Sequence, residues 1–263
     1  MAENVVSTAL VACKWVPSAQ RLTAPRYATP ADQPHRLDTV NEVGAAWALR
    51  LRTEGLVGRV VAISMGPPDA AAALTEALAH GADEAFLITD PALDGADVRR
   101  TARVLAQATA DLGAHLLVCG YESADGASGI VPAAMATALG WPLVTRVRDG
   151  RAAADGSLDL RRSGPDGIES WTARLPAVVS LVEGGIVPGY PPIRSLLRAR
   201  KARIPQLAVG DRSQLDTPAH AARIVRIEPV PRPPREPRVM TEDDGVGEVV
   251  ALLAGVKSWG GRS

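Results

Sequence analysis

The segment with the strongest chemical signature in this 263-residue chain is Gly120-Tyr-Glu-Ser-Ala-Asp-Gly-Ala-Ser-Gly129, which directly follows an apolar run. Small side chains let a backbone approach a ligand closely, and the free N–H groups at the start of a following helix attract an anion such as phosphate. The segment has neither the Gly-Lys-Ser/Thr of a P-loop nor a G-x-G-x-x-G fingerprint. The residues alone therefore leave two readings open: a cradle for a nucleotide phosphate, or a plain turn between strand and helix. Cys13 and Cys119 each close an apolar run and read as buried thiols. His35, His80, His115 and His220 lack the spacing of metal ligands, and there is no G-x-S-x-G nucleophile elbow. Asp32, Asp38 and Glu42 read as a solvated loop and helix cap. Residues 193–203 crowd Arg194, Arg198, Arg200, Lys201 and Arg203 around Ile193, Leu196 and Leu197. That stretch is either a solvated helix or a docking surface with apolar anchors and a basic rim.

These residues need elements to hold them. Residues 5–14 are apolar and β-branched, the pattern of a buried strand. The rhythm of Val43, Ala46, Trp47 and Leu51 predicts a helix over 39–52. Strands follow over 59–64 and 84–88, flanking a helix over 69–80 with Asp69 as its cap and Gly81 past its end. A helix over 97–112, a strand over 115–119 and a helix over 127–139 continue the alternation. Strand, helix, strand, helix at this spacing predicts a doubly wound, mostly parallel α/β sheet, whose ligands sit at the carboxyl ends of strands. Four such ends are readable: Ala12-Cys13-Lys14, Ser64-Met65-Gly66-Pro67, Thr89-Asp90, and residues 120–129. Over 144–175 the pairs Asp149-Gly150, Asp155-Gly156 and Asp166-Gly167 predict an antiparallel hairpin flap. A buried strand over 177–182 closes the series.

The domain reading is an α/β unit over 1–204, with a partner-recognition loop at 184–203, and a Pro-rich C-terminal arm over 205–263. The run Glu228-Pro-Val-Pro-Arg-Pro-Pro-Arg-Glu-Pro is extended by composition and cannot build a core. A short helix over 246–256 ends the arm, which is expected to pack on a partner subunit. Composition is 46% hydrophobic and 22% charged, with a formal net charge of +0. A general nucleic-acid binder would carry a basic excess. Two cysteines exclude a disulfide framework. No apolar run reaches the roughly 18 residues of a membrane span. With no basic leader at the N-terminus, the expectation is a cytoplasmic protein.

In order and spacing, several segments together resemble the beta subunit of the electron transfer flavoprotein family, also called FixA or EtfB-like. They are Val11-Ala-Cys-Lys14, Asp38-Thr-Val-Asn-Glu42, Ala62-Ile-Ser-Met-Gly-Pro67, Ala77-Leu-Ala-His-Gly-Ala-Asp83, residues 120–142, Leu175-Pro-Ala-Val-Val179 and Ser195-Leu-Leu-Arg-Ala-Arg-Lys201. The resemblance implies a redox carrier without catalytic residues of its own, paired with an FAD-carrying alpha subunit. It implies AMP bound in this chain's own fold, or a second FAD in that position in electron-bifurcating members. It further implies a flavin-dependent dehydrogenase as electron donor and a downstream oxidoreductase as acceptor. Carried over position by position, the nucleotide site takes Ala12, Asp38, Thr39, Val40, Asn41 and Met65. From the loop and helix it takes Asp125, Gly126, Ala127, Ser128, Gly129, Ile130, Val131, Ala133 and Ala134. Partner docking falls to Ile193, Arg194, Leu196, Leu197, Arg198, Arg200 and Lys201.

The chain departs from the family pattern at four places. Asp38-Thr-Val40 replaces Asn-Pro-Phe, and Ala19 stands where many members have Tyr. Gly129-Ile-Val-Pro132 replaces Asn-Gln-Thr-Gly, and Gly185-Ile-Val-Pro-Gly-Tyr190 replaces Leu-Asn-Glu-Pro-Arg-Tyr. These mark a divergent, specialised member. Two competing readings share the fold: an adenine-nucleotide sensor of the stress-protein kind without a redox role, and an ATP pyrophosphatase. The second lacks its S-G-G-x-D-S loop after the first strand. The Pro-rich arm and the basic segment favour the electron carrier over the sensor.

Overall fold

The computed structural model describes residues 7–18, 34–209 and 242–255. The chain forms two compact units, residues 1–227 and 228–263. In the first, a nine-stranded sheet has the order β11-β5-β4-β1-β6-β10-β7-β8-β9. Its strands are β1 (Thr8–Ala12), β4 (Arg59–Met65), β5 (Glu84–Ile88), β6 (Ala114–Gly120), β7 (Leu143–Ala152), β8 (Leu158–Gly164), β9 (Gly167–Ala173), β10 (Ala177–Leu181) and β11 (Gln206–Leu207). From β11 to β7 every neighbouring pair is parallel; β7, β8 and β9 run antiparallel. A short antiparallel pair, β2 (Trp15–Pro17) with β3 (His35–Leu37), stands apart. The helices are α1 (Thr39–Thr53), α2 (Ala71–His80), α3 (Val98–Asp111), α4 (Val131–Leu139) and α5 (Ile193–Ala199). The doubly wound expectation holds. Among the described residues, no helix is long and apolar enough to cross a membrane.

Two cores follow from the period of two along each strand. Ala9 and Val11 of β1, Val60 and Ala62 of β4, and Leu116 and Val118 of β6 share one face with α1 and α2. Leu10, Val61, Ile63 and Leu117 point the other way, against α3 and α4. Strands buried on both faces must be apolar throughout, which is why they read as unbroken apolar runs.

Several local expectations are corrected. Within the run read as a strand over 5–14, the strand is β1, Thr8–Ala12, and the short β2 begins just after that run at Trp15. Asp69 does not cap α2: it lies within a single turn of 3₁₀ helix, Pro68–Ala70, and Ala70 precedes α2. Gly81 does end α2, at φ 118. Asp97 caps α3, accepting the Arg100 N–H. The helix expected from Ala127 starts only at Val131, because Ala127 and Gly129 adopt φ 45 and φ 64 and break the helical path. Asp149-Gly150 is not a turn but the middle of β7. Its glycine serves close approach instead: a Cβ there would lie 2.5 Å from Leu160 Cδ2 and 3.2 Å from Trp47 Cζ2. The fully buried Trp47 donates its indole N–H to the Gly150 carbonyl at 2.8 Å. The turns at Asp155-Gly156 and Asp166-Gly167 form as read. Strand β10 is buried as read and lies between β6 and β7, while β11 carries the sheet past Pro205 by pairing with β5.

In the second unit, α6 covers Glu242–Gly255 and begins earlier than the 246–256 expected. The Pro-rich run at 228–237 lies outside the described residues.

Candidate functional site

The sheet reverses its winding beside β1: β4 continues on one side and β6 takes the other. Strand ends diverge at such a point and leave a crevice at their carboxyl ends. Here the crevice is a cleft of about 930 Å³. Its floor is the ends of β1, β4 and β6. One wall is the start of α1, another the 120–129 loop with the first turn of α4, and an outer wall comes from residues 89–96.

The floor is built by tight packing. A Cβ on Gly120, the last residue of β6, would run into Val40 Cγ1, so glycine there lets α1 close onto the sheet. Asn41, 4% exposed, accepts the Lys14 backbone N–H at 2.8 Å. Asp38, 2% exposed, donates its backbone N–H to the Lys14 carbonyl at 3.0 Å. Its carboxylate accepts the Ala124 N–H at 2.9 Å and so ties the loop to α1. Burial pushes the Asp38 carboxyl above its ordinary range, opposed by the loop N–H and by Lys14.

The loop is tied a second time. Lys14 Nζ lies 2.7 Å from Asp125 Oδ1 and 3.1 Å from Ser123 Oγ. Burial works against ionising Asp125, yet the Lys14 ammonium and the Ser123 hydroxyl outweigh it and hold the carboxyl below its usual value. Tyr121 packs over Gly129, where a Cβ would come within 3.1 Å of the ring. Arg146 Cζ lies 5.5 Å from the Tyr121 ring centroid, carried there by a left-handed φ of 58 at a bulge in β7. Cys13 and Cys119 also line the cleft, and burial pushes both thiols up to about 12.

Most of the residues expected at the site come together here. Ala12, Asp38, Val40, Asn41, Met65, Gly126, Ser128, Gly129 and Val131 line the cleft. Asp125 stands behind it on Lys14, and Ala127 is exposed at the loop tip. Thr39 does not line the cleft: its hydroxyl donates to Glu183. Nor do Ile130, Ala133 and Ala134. Ile130 is 56% exposed, Ala133 is exposed, and Ala134 packs against the α3/α4 core. The sequence reading gave Lys14 no role of its own. Its signal was available: it is one of three lysines in the chain, and it stands just past the carboxyl end of β1.

The basic segment forms α5, docked on the main unit by Ala199, which is 3% exposed. Leu196 is half-buried, whereas Ile193 is 75% and Leu197 54% exposed. Arg194, Arg198, Arg200 and Lys201 are exposed around them. Tyr190 and Val187 just before the helix are exposed at 100% and 88%. Among the described residues, no group of His, Cys, Asp and Glu could hold a metal ion.

Comparison with known proteins places this geometry. Residues 30–212 match the electron transfer flavoprotein domain. The electron transfer flavoprotein subunit beta of Mycobacterium leprae is 31% identical over 230 residues, spanning 84% of this chain and 86% of the relative. Its namesake from Thermoanaerobacterium thermosaccharolyticum is 36% identical over 169 residues, 64% of each chain. A subunit of the caffeyl-CoA reductase–Etf complex of Acetobacterium woodii, CarD, is 32% identical over 163 residues, 62% of this chain and 61% of the relative. With the cleft at the sheet's switch point and a match covering well over half its length, the chain belongs to the electron transfer flavoprotein family, on the side of its beta subunits.

Proposed function

We propose that this chain is the beta subunit of a heterodimeric electron transfer flavoprotein that binds an adenine nucleotide in the cleft and supports an FAD held mainly by an alpha subunit. Electrons pass from a flavin-dependent dehydrogenase through that flavin to a downstream acceptor. The protein positions and tunes the cofactor, which carries the redox chemistry. The observation that carries the nucleotide reading is the small-residue loop at the switch point, tied at Ala124 and Asp125 and opening onto a cleft of about 930 Å³. The phosphate lies near the backbone N–H groups of Ser128, Gly129 and Ile130, where the start of α4 favours an anion. The adenine lies against the ends of β1 and β4. AMP is the ligand proposed, with a second FAD as the alternative occupant. The arm beyond residue 209 packs on the alpha subunit, and the exposed anchors of α5, ringed by arginines, receive the dehydrogenase.

The test is purification of the full chain with and without its alpha subunit, a flavin absorbance spectrum, and chromatography of nucleotide released by acid. The expected result is adenine nucleotide in one-to-one ratio with this chain and flavin only in the heterodimer. Flavin-free, nucleotide-loaded protein that never associates with an alpha subunit would favour the sensor reading.

A further inference from the structure

We infer that Lys14 is the positioning residue of the cleft: it holds the 120–129 loop in its ligand-receiving shape by pairing with Asp125, rather than by touching a ligand phosphate. This rests on the adenine-nucleotide reading above and names the residue that sets the loop.

Three observations carry it. The first is that Lys14 is fixed at both ends. Its N–H donates to Asn41 Oδ1 at 2.8 Å, its carbonyl accepts the Asp38 N–H at 3.0 Å, and its ammonium holds Asp125 at 2.7 Å and Ser123 at 3.1 Å. It therefore bridges the β1–α1 floor to the loop wall. The second is that the loop needs holding. Ala127 sits at φ 45, a conformation that a residue with a Cβ occupies only when its surroundings over-determine it. Ser123 is the hinge of that conformation: its carbonyl accepts the Ala127 N–H at 2.9 Å, and its hydroxyl accepts the Gly126 N–H at 3.3 Å. Lys14 grips Ser123 directly. The third is charge. Among the described residues that line the cleft, Lys14 is the one cation, and Asp38, Asp90, Asp94 and Glu122 line it too. Two of the three donors of the Lys14 ammonium are already given to Asp125 and Ser123, so most of its hydrogen bonding is directed at the loop. Lys14 thus acts on the ligand through the loop.

The experiment measures AMP and adenosine affinities of the full-length chain by calorimetry, for the native protein, Lys14→Met, Asp125→Asn, the double variant and Lys14→Arg. It adds amide hydrogen exchange over residues 124–129. Lys14→Met is expected to weaken AMP and adenosine alike by about three- to fivefold, the scale of a half-exposed ion pair. Asp125→Asn should do the same, the double variant should be no worse than either, and Lys14→Arg should recover most of the affinity. The 124–129 amides should exchange faster in both single variants. A loss confined to AMP would mean direct phosphate contact and overturn the inference, as would losses that multiply in the double variant. If native protein binds neither AMP nor adenosine, the nucleotide reading fails separately. Hydrogen exchange then decides alone: equal acceleration in Lys14→Met and Asp125→Asn upholds the latch, and unchanged exchange removes it.

Discussion

Gly126 sits where the loop passes the Lys14 ammonium. A Cβ there would lie 3.2 Å from Ser123 Oγ and 3.8 Å from Lys14 Nζ. Alanine is tight but admissible; the branched side chain of valine must displace either the hydroxyl or the ammonium. Gly126→Val is therefore expected to lower the nucleotide retained through purification while leaving the melting temperature nearly unchanged, since the position is exposed and outside both cores. Retention at native stoichiometry would place the ligand elsewhere. The two thiols carry a second residue-scale expectation. Burial holds Cys13 and Cys119 at about 12, and only a thiolate alkylates readily. Iodoacetamide at neutral pH should leave both unmodified in the native protein and label both once urea unfolds it. Labelling of Cys119 in native protein would show that the cleft opens further than this packing allows.

Helix α5 presents two faces with different duties. It packs on α2 and buries Ala199, whereas Ile193 stands 75% exposed. Truncating a buried Ile costs roughly 2–5 kcal/mol, but an exposed one has no such packing to lose. Ile193→Ala should thus keep the melting temperature within about a degree of native, on the scale of surface substitutions. If α5 docks a dehydrogenase, the same variant slows electron transfer from it. Added salt slows the same step, because exposed charges are screened over about 8–10 Å near physiological ionic strength. A transfer rate indifferent to both changes would remove α5 from the docking surface. Enlarging the other face tests its structural duty: Ala199→Leu overpacks the α2 contact and should cost roughly 1–3 kcal/mol.

At the scale of the whole molecule, separate elements converge on a group of carboxylates. Glu42 of α1 and Glu76 of α2 are both pushed above their ordinary value of 4.5, by burial first. For Glu42, Glu76, Asp38 and Glu183 add to the shift and Arg36 opposes it. Glu76 is partly relieved by accepting the Leu37 N–H at 3.3 Å. A carboxyl whose folded pKa is raised binds more protons folded than unfolded. Its contribution to stability is therefore greatest below 4.5 and falls as pH rises through the folded value. Glu42→Gln removes the charge that must be buried beside like charges. Its melting temperature should exceed the native one at about pH 7 and converge with it at about pH 4. A variant less stable than native at both pH values would mean that the Glu42 carboxylate is a net stabiliser.

The sequence by itself determined what depends on local pattern. Apolar runs bounded by glycine and proline marked the strands, a three-and-four rhythm marked the helices, and their alternation marked a parallel sheet with a crevice expected at its carboxyl edge. Gly81 as a stop was legible because a helix end is settled within one turn of chain, whereas Asp69, read as a cap, lies in a 3₁₀ turn ahead of α2. The loop at 120–129 was legible as a small-residue connection that either cradles a phosphate or simply turns the chain, and residues 12, 38, 41 and 65, which line the cleft with it, entered through resemblance. Only the tertiary structure decided what depends on contacts distant in sequence. Gly150 looked like a turn residue, but its role is to make room for Trp47, 103 positions earlier. Thr39 belonged by position to the site, yet its hydroxyl is claimed by Glu183. Lys14 stood in a recognised segment without a role of its own; it gains its place because Asp125, 111 residues later, folds onto it. Side-chain pairing across such separations is set by how the strands are ordered in the sheet, and no local periodicity encodes that order.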